Sequence, residues 1–316
     1  MRGVAVRQFR AEPETIDLPE PVPGPDELLV RIEFAGMNPF DWKIADGLFE
    51  GHRPHVFPLV LGVDACGTVE TVGPQAHRFH PGERVAGQFL HDPVGRGTYA
   101  ERATVPEGIG LIRVPDHLPS DEAASLPTAG MTALAAVESL DLAPGSTLVI
   151  AGASGGIGSF ATQLAVARGW RVVALARASS ESRLRSLGAA EVVDPTDAQV
   201  RPRGVRRHPE GCEGLLDTMS DRAGFARLAT LVRPGGVAVS TTFAADPDSL
   251  VASRVRGVNL DLHPNATLME RLVREVVHHS LKVPLERRVT LSEAPAALAE
   301  LKAGRGRGKT VVAPAP

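Results

Sequence analysis

The chain is poor in the residues that most often announce a site by themselves. Its 316 residues include two cysteines, one tyrosine and two tryptophans, and aromatic side chains make up 4% of the whole. Cys66 and Cys212 are too few for a disulfide framework and fit a reducing compartment as small buried hydrophobes. No charge of one sign dominates. With 34 Lys and Arg against 37 Asp and Glu, a formal net charge of -3 excludes a global field that would steer nucleic acid or a membrane surface. No continuous apolar run reaches the length of a membrane span, and Met1-Arg2-Gly3-Val4-Ala5-Val6 enters a strand pattern rather than a signal peptide, so a cytoplasmic location is expected. Ser and His do not pair as a hydrolase triad requires.

What the chain does have is glycine and a change of rhythm. Its 316 residues exceed one typical domain, so two domains are the default. Residues 1–118 carry short β segments such as Glu27-Leu28-Leu29-Val30-Arg31-Ile32-Glu33, divided by turn signals at Pro23-Gly24-Pro25 and Pro81-Gly82-Glu83. This is the texture of an irregular β barrel. From Ser120 onward helices alternate with short strands at 148–151, 171–176, 191–193, 214–217 and 236–240, which predicts a parallel, doubly wound sheet. Helical patterns at 268–279 and 294–302 precede a last strand at 310–312. Between Pro195 and Cys212, Arg201, Arg203, Arg206 and Arg207 read as a solvated basic loop.

The most informative stretch is 148–177. Leu148-Val149-Ile150-Ala151 is a buried-strand run, Gly152 to Gly158 a glycine-rich turn, 159–167 a helix, and Arg171-Val172-Val173-Ala174-Leu175-Ala176 a second strand. Ala153, Gly155 and Gly158 hold the three glycine positions of the Rossmann dinucleotide fingerprint; the middle one lets the backbone approach a pyrophosphate and the last lets helix and strand pack closely. Ser154, Gly155, Gly156 and Ile157, at the positive end of the helix, make an anion site. An NAD site places an acid about 20 residues beyond the turn. None is there. Arg177-Ala178-Ser179-Ser180-Glu181-Ser182-Arg183 instead offers hydroxyl and guanidinium groups matched to a 2′-phosphate, so NADPH is the expected cofactor, held by Arg177, Ser179, Ser180 and Arg183, with Thr241 beyond the strand at 236–240. The segment from Ala303 to Thr310 fits a relaxed P-loop, but it follows a helix and enters a strand with no helix beyond, which excludes the ATPase reading.

Five further motifs complete the pattern: Gly36-Met37-Asn38-Pro39-Phe40-Asp41-Trp42-Lys43, Leu61-Gly62-Val63-Asp64-Ala65-Cys66-Gly67-Thr68-Val69, Gly97-Thr98-Tyr99-Ala100-Glu101, Leu126-Pro127-Thr128-Ala129-Gly130-Met131-Thr132-Ala133 and Gly306-Arg307-Gly308-Lys309. In this order, with the fingerprint, they resemble the zinc-independent medium-chain dehydrogenase/reductase superfamily, in its quinone oxidoreductase (zeta-crystallin-like) branch, over essentially the whole chain. The resemblance implies an α/β fold: a GroES-like β-barrel domain (1–118 and 263–316) plus a Rossmann doubly wound parallel-sheet domain (119–262), with catalysis in the cleft. It also implies a homodimer or homotetramer joined through the Rossmann sheets. Zinc alcohol dehydrogenases place Cys where this chain has Asn38 and a His-Glu pair where it has Val63-Asp64, so no metal is expected. His52, His55, His278 and His279 read as surface imidazoles.

Without a metal, positioned donors must stabilise the charge that hydride transfer builds on a substrate oxygen. The resemblance places the Asn-Pro-x-Asp stretch in the cleft, making Asn38 a candidate donor and Asp41 its orienter. Lys43 stands where many relatives have Tyr and is read either as a proton donor or as an exposed lysine on a helical turn. Tyr99 completes the candidate set as a packing residue or acid. Thr128 is expected at the cofactor amide, and Arg307 or Lys309 at its phosphates. The expected function is NADPH-dependent, zinc-free hydride transfer to a small molecule, a quinone or an α,β-unsaturated carbonyl compound, with no nucleic-acid or membrane partner. A pathway-specific enoyl or enone reductase in biosynthesis and a low-turnover NADPH-binding structural or redox-sensing protein are the alternatives.

Overall fold

The computed structural model describes residues 1–194 and 211–314, so the basic segment 201–207 lies outside the described residues. Two compact units emerge. The first comprises Met1–Met131, Pro264–Arg274 and Val283–Pro316, and the second Thr132–His263 and Glu275–Lys282.

The strands of the first unit are β1 (Arg2–Val6), β2 (Glu14–Asp17), β3 (Glu27–Gly36), β4 (His55–Val60), β5 (Asp64–Val72), β6 (Arg84–Gln88), β7 (Val94–Arg96), β8 (Arg102–Pro106) and β9 (Ile112–Arg113), with β16 (Leu285–Thr290) and β17 (Lys309–Ala313) added from the far end of the chain. They form one sheet in the order β2-β1-β4-β7 and a second in the order β16-β17-β3-β5-β6-β9, with β8 also paired to β3. Val30, Ile32, Leu59, Leu61 and Tyr99 belong to one buried cluster that these strands enclose. Burial of each large apolar side chain contributes about 1.5–3 kcal/mol, so strand alternation rather than helix propensity holds this unit. Helix α1 (Pro39–Ala45) follows β3 at once, because Pro39 has the φ of a first helical turn and Asn38 stands before it in extended conformation. Helix α2 (Ser120–Ser125) buries Ala123, Ala124 and Ser125, and α3 (Pro127–Leu140) starts two residues later.

The second unit carries six strands: β10 (Thr147–Ala151), β11 (Arg171–Leu175), β12 (Glu191–Val193), β13 (Cys212–Asp217), β14 (Val232–Ser240) and β15 (Arg256–Asn259), in the order β12-β11-β10-β13-β14-β15. Every pairing in this sheet is parallel. All five residues of β10 are buried, as a central strand covered on both faces requires. The strand order reverses beside β10. That is the switch point at which open parallel sheets take ligands beyond their carboxyl ends, and helix α4 (Gly156–Ala167) leaves from it. No helix among the described residues is long and apolar enough to cross a membrane.

Candidate functional site

In the first unit, strand register gathers a buried polar cluster. Asp64, the first residue of β5, lies opposite Gly36 of β3 on one side and Gln88 of β6 on the other. β17 pairs antiparallel with β3, Val311 opposite Gly36, which brings Lys309 beside Asn38. The Asp64 carboxylate accepts from Asn38 Nδ2 (2.8 Å), from the Thr128 amide (3.0 Å) and from the Thr128 hydroxyl (2.6 Å). Gln88 Nε2 donates to the same hydroxyl at 2.8 Å, and Thr98 Oγ1 donates to the Asp64 carbonyl at 3.0 Å. Lys309 Nζ donates to Asn38 Oδ1 (2.6 Å) and the Met37 carbonyl (2.8 Å), with Asp64 Oδ2 3.9 Å away. Asp41 Oδ2 accepts from the Asn38 amide at 2.7 Å and from the Tyr99 hydroxyl at 2.6 Å. Tyr99 reaches it because Gly62, at φ 90°, leaves room for the ring: a Cβ there would come within 2.4 Å of Tyr99 Cδ1.

Hydrogen-bond capacity revises several expected roles. A carboxamide has two N–H donors, and those of Asn38 are committed to Asp64 and to the Gly36 carbonyl (3.2 Å), so Asn38 has no donor left for a substrate oxygen. Asp41 and Tyr99 are fully buried. Their hydrogen bonds bind helix α1 to the strands rather than meet a ligand. Lys43 is exposed, its Nζ 5.8 Å from the Trp42 ring centroid. Two residues along an α-helix are about 200° of rotation, so Lys43 points away from the face on which Asp41 is buried. Lys309 is no phosphate ligand as placed here. It is 2% exposed, with Nζ spent inside the cluster. Arg307 is exposed ahead of β17. Asp64, Gln88 and Thr98 complete the cluster and were not among the expected residues. Asp64 stood in a quoted motif, but only strand register reveals its part.

Burial pushes the Asp41 carboxyl up to about 7, against the opposing pull of the Tyr99 and Asn38 hydrogen bonds, and its Oδ1 has no hydrogen-bond partner. Burial also raises Asp64, and lowers the Lys309 ammonium against the pull of both carboxylates. A carboxyl that titrates near 3.8 when unfolded and about 7 when folded keeps its proton longer in the native state, so its contribution is full below about pH 4 and is lost as pH rises through about 7. Stability measured by denaturant unfolding should therefore fall across that window, and Asp41→Asn should flatten the fall. An unchanged slope in the variant would refute the assignment.

In the second unit the glycine turn joins β10 to α4. Gly158 packs so closely that a Cβ would lie 2.4 Å from the Gly152 carbonyl oxygen and 2.5 Å from Ala153 Cα. Ser154, Gly155, Gly156 and Ile157 are half-buried, and their stretch includes the first turn of α4, where amides lack intrahelical partners. β11 ends at Leu175, followed by buried Ala176 and then exposed Arg177 and Ser179. Arg183, at the start of helix α5 (Glu181–Ser186), turns inward: Nη2 donates to the Ser154 carbonyl at 2.6 Å and Nη1 to Ser159 Oγ at 3.1 Å. It braces the turn itself. Ser180 is buried, and Thr241 donates its amide to the Asp217 carbonyl at 2.9 Å beyond β14.

Comparison with known proteins bears on both units. The alcohol dehydrogenase GroES-like domain family matches residues 24–116, and the zinc-binding dehydrogenase family matches residues 187–312. A chloroplastic quinone-oxidoreductase homolog of Spinacia oleracea is 30% identical over 312 residues, 95% of this chain and 93% of its own. The chain belongs to the medium-chain dehydrogenase/reductase superfamily. Solved structures that it resembles include a mycobacterial protein complexed with NADPH (TM-score 0.87, 27% identity, 99% of this chain and 100% of that one). A quinone oxidoreductase of Pseudomonas syringae pv. tomato gives a TM-score of 0.85 at 25% identity, covering 99% of each chain. As a medium-chain dehydrogenase/reductase the protein is an oxidoreductase, and its first unit contains the GroES-like match. Among the described residues no group of three or more His, Cys, Asp or Glu is placed to hold a metal ion.

Proposed function

We propose that the protein is an NADPH-dependent reductase, working without zinc, that transfers hydride to a quinone or an α,β-unsaturated carbonyl compound. The observation that carries the reading is the glycine turn at the switch point, followed by a second strand that ends at Leu175 and runs into Ala176-Arg177 instead of an acid. The residues fit the cofactor: close packing at Gly158 leaves a cradle at the start of α4 for a pyrophosphate, and Arg177 and Ser179 are exposed where a 2′-phosphate would lie. When bound, the reduced nicotinamide supplies the hydride. The chain's own part is to hold the phosphates at the α4 amides and to fix the turn through Arg183. Spinach and Pseudomonas relatives named for quinone reduction favour a quinone acceptor. Location in a cytoplasm, assembly as a homodimer or homotetramer, and the division near residues 118 and 262 belong to the same proposal.

NADPH oxidation should be followed after prolonged chelation, across quinones, enones, aldehydes and ketones. Expected are turnover of quinones or enones that survives the chelator, and binding of NADPH at least about tenfold tighter than NADH. One charge-assisted hydrogen bond is worth about 1.5–3 kcal/mol, so Arg177→Ala should remove about that preference. Arg183→Ala, by contrast, should weaken both nucleotides, since the residue braces the turn they share. Equal affinity for NADH and NADPH, or tight NADPH binding with no acceptor reduced, would defeat the reading.

A further inference from the structure

β13 and β14 run side by side, Asp217 opposite Ser240, and they end at the same edge of the sheet as β10 and its glycine turn. Two large apolar side chains stand just beyond those ends: Met219, 67% exposed, and Phe243, 56% exposed. The loop that carries Phe243 is pinned on both sides of it. Ser240 Oγ accepts from the Thr242 amide (3.2 Å) and the Ala244 amide (3.0 Å), Thr242 Oγ1 donates to the Ser220 carbonyl (2.8 Å), and Asn259 Oδ1 accepts from the Ala245 amide (3.0 Å). Phe243 itself is held at φ 58°, a left-handed backbone that a bulky aromatic residue rarely adopts and that persists only where the surroundings enforce it.

In a chain that is 4% aromatic, leaving a phenyl ring in the open calls for a reason. Phe57, the other exposed phenylalanine at 43%, is covered edge-on by Phe9 at 5.1 Å, and Phe40 meets Phe49 at 5.8 Å. Phe243 has no ring partner among the described residues. Its position beyond the carboxyl ends of parallel strands is where this fold takes its ligands.

We propose that Phe243 is a specificity-determining platform on which the planar ring of a quinone stacks, a role that rests on the hydride-acceptor reading above. A quinone presents a broad flat ring that an offset stack can cover, whereas a short acyclic enone offers far less stacking area. Enforced strain at Phe243 is then the cost of presenting the ring, and relief of that strain at the expense of quinone binding is the signature to look for.

Three proteins test this: wild type, Phe243→Leu and Phe243→Gly. Quinone binding is read without turnover, by fluorescence quenching with 1,4-naphthoquinone in the NADP⁺ complex, and KM is measured separately for 1,4-naphthoquinone and for pent-3-en-2-one. Each variant should weaken naphthoquinone about tenfold in both Kd and KM, equivalent to about 1.4 kcal/mol. KM for the acyclic enone and Kd for NADPH should stay within about twofold. Phe243→Gly, which suits the left-handed backbone, should melt at or above the wild-type temperature. Naphthoquinone affinity unchanged in the variants, equal weakening of NADPH, or a wild type that does not bind naphthoquinone would each overturn the proposal. A wild type that binds naphthoquinone through Phe243 yet fails to reduce it would instead overturn the proposed function and leave the platform standing.

Discussion

Replacing Lys309 with methionine is expected to cost the first unit about 3–5 kcal/mol, the range found when one partner of a buried ion pair is removed. Methionine keeps most of the stem and none of the charge. Asp64, fully buried, then loses its only cation in the cluster, and Asn38 Oδ1 loses its donor. Two tryptophans make the measurement clean, because Trp42 belongs to the first unit and Trp170 to the second. With Trp170 replaced by Phe, denaturant unfolding followed through Trp42 reports on the unit that changed. Adding Asp64→Asn to Lys309→Met should restore part of the loss, since the unpaired charge is removed as well. A loss below about 1 kcal/mol would mean that the ammonium is not what holds the cluster.

Asn38, Asp41, Tyr99, Thr128 and Lys309 were singled out from the sequence, but not their meeting in one cluster, and the reason is geometric. Lys309 and Asn38 are 271 residues apart, and they meet only because β17 pairs with β3 in one register. Hydrophobic alternation specifies that a strand exists and which face it buries, but it does not name the neighbour. Lys43 was left open between a proton donor and an exposed lysine on a helical turn, and it is exposed on α1, where residues two apart do not share a face. The strand, turn and helix of the fingerprint, by contrast, were readable, since they follow one another without interruption and the close approach of Gly158 to Gly152 and Ala153 is local. Arg183 shows the limit even there. Its chemistry suits a phosphate, and two of its N–H groups donate to Ser154 and Ser159, a bracing contact that the local sequence does not announce.

The second large effect is expected at Gly158. A methyl group there would come within 2.4 Å of the Gly152 carbonyl oxygen and 2.5 Å of Ala153 Cα, both backbone atoms that have no rotamer by which to retreat. The turn must therefore open, and with it the set of amides proposed to hold the cofactor. Gly158→Ala should weaken NADPH about 100-fold, or about 2.7 kcal/mol, in a fluorescence titration. Gly108→Ala is the matched control, because a Cβ at Gly108 meets nothing within 4 Å. Trp170 fluorescence distinguishes a misplaced turn from an unfolded second unit. Wild-type affinity in Gly158→Ala would show that the close approach is incidental to binding.

β17 also governs the order in which the chain can be assembled. Domains generally form as units while the chain is still being made, earliest ones first. Here β17 is wedged between β16 and β3, so the sheet that starts with the first hundred residues stays open until residues 309–313 have emerged. Every strand of the second unit is synthesised before that point. The unit encoded first is thus the one completed last, and until then the end of β3 at Ala35 and Gly36 lacks its strand partner β17.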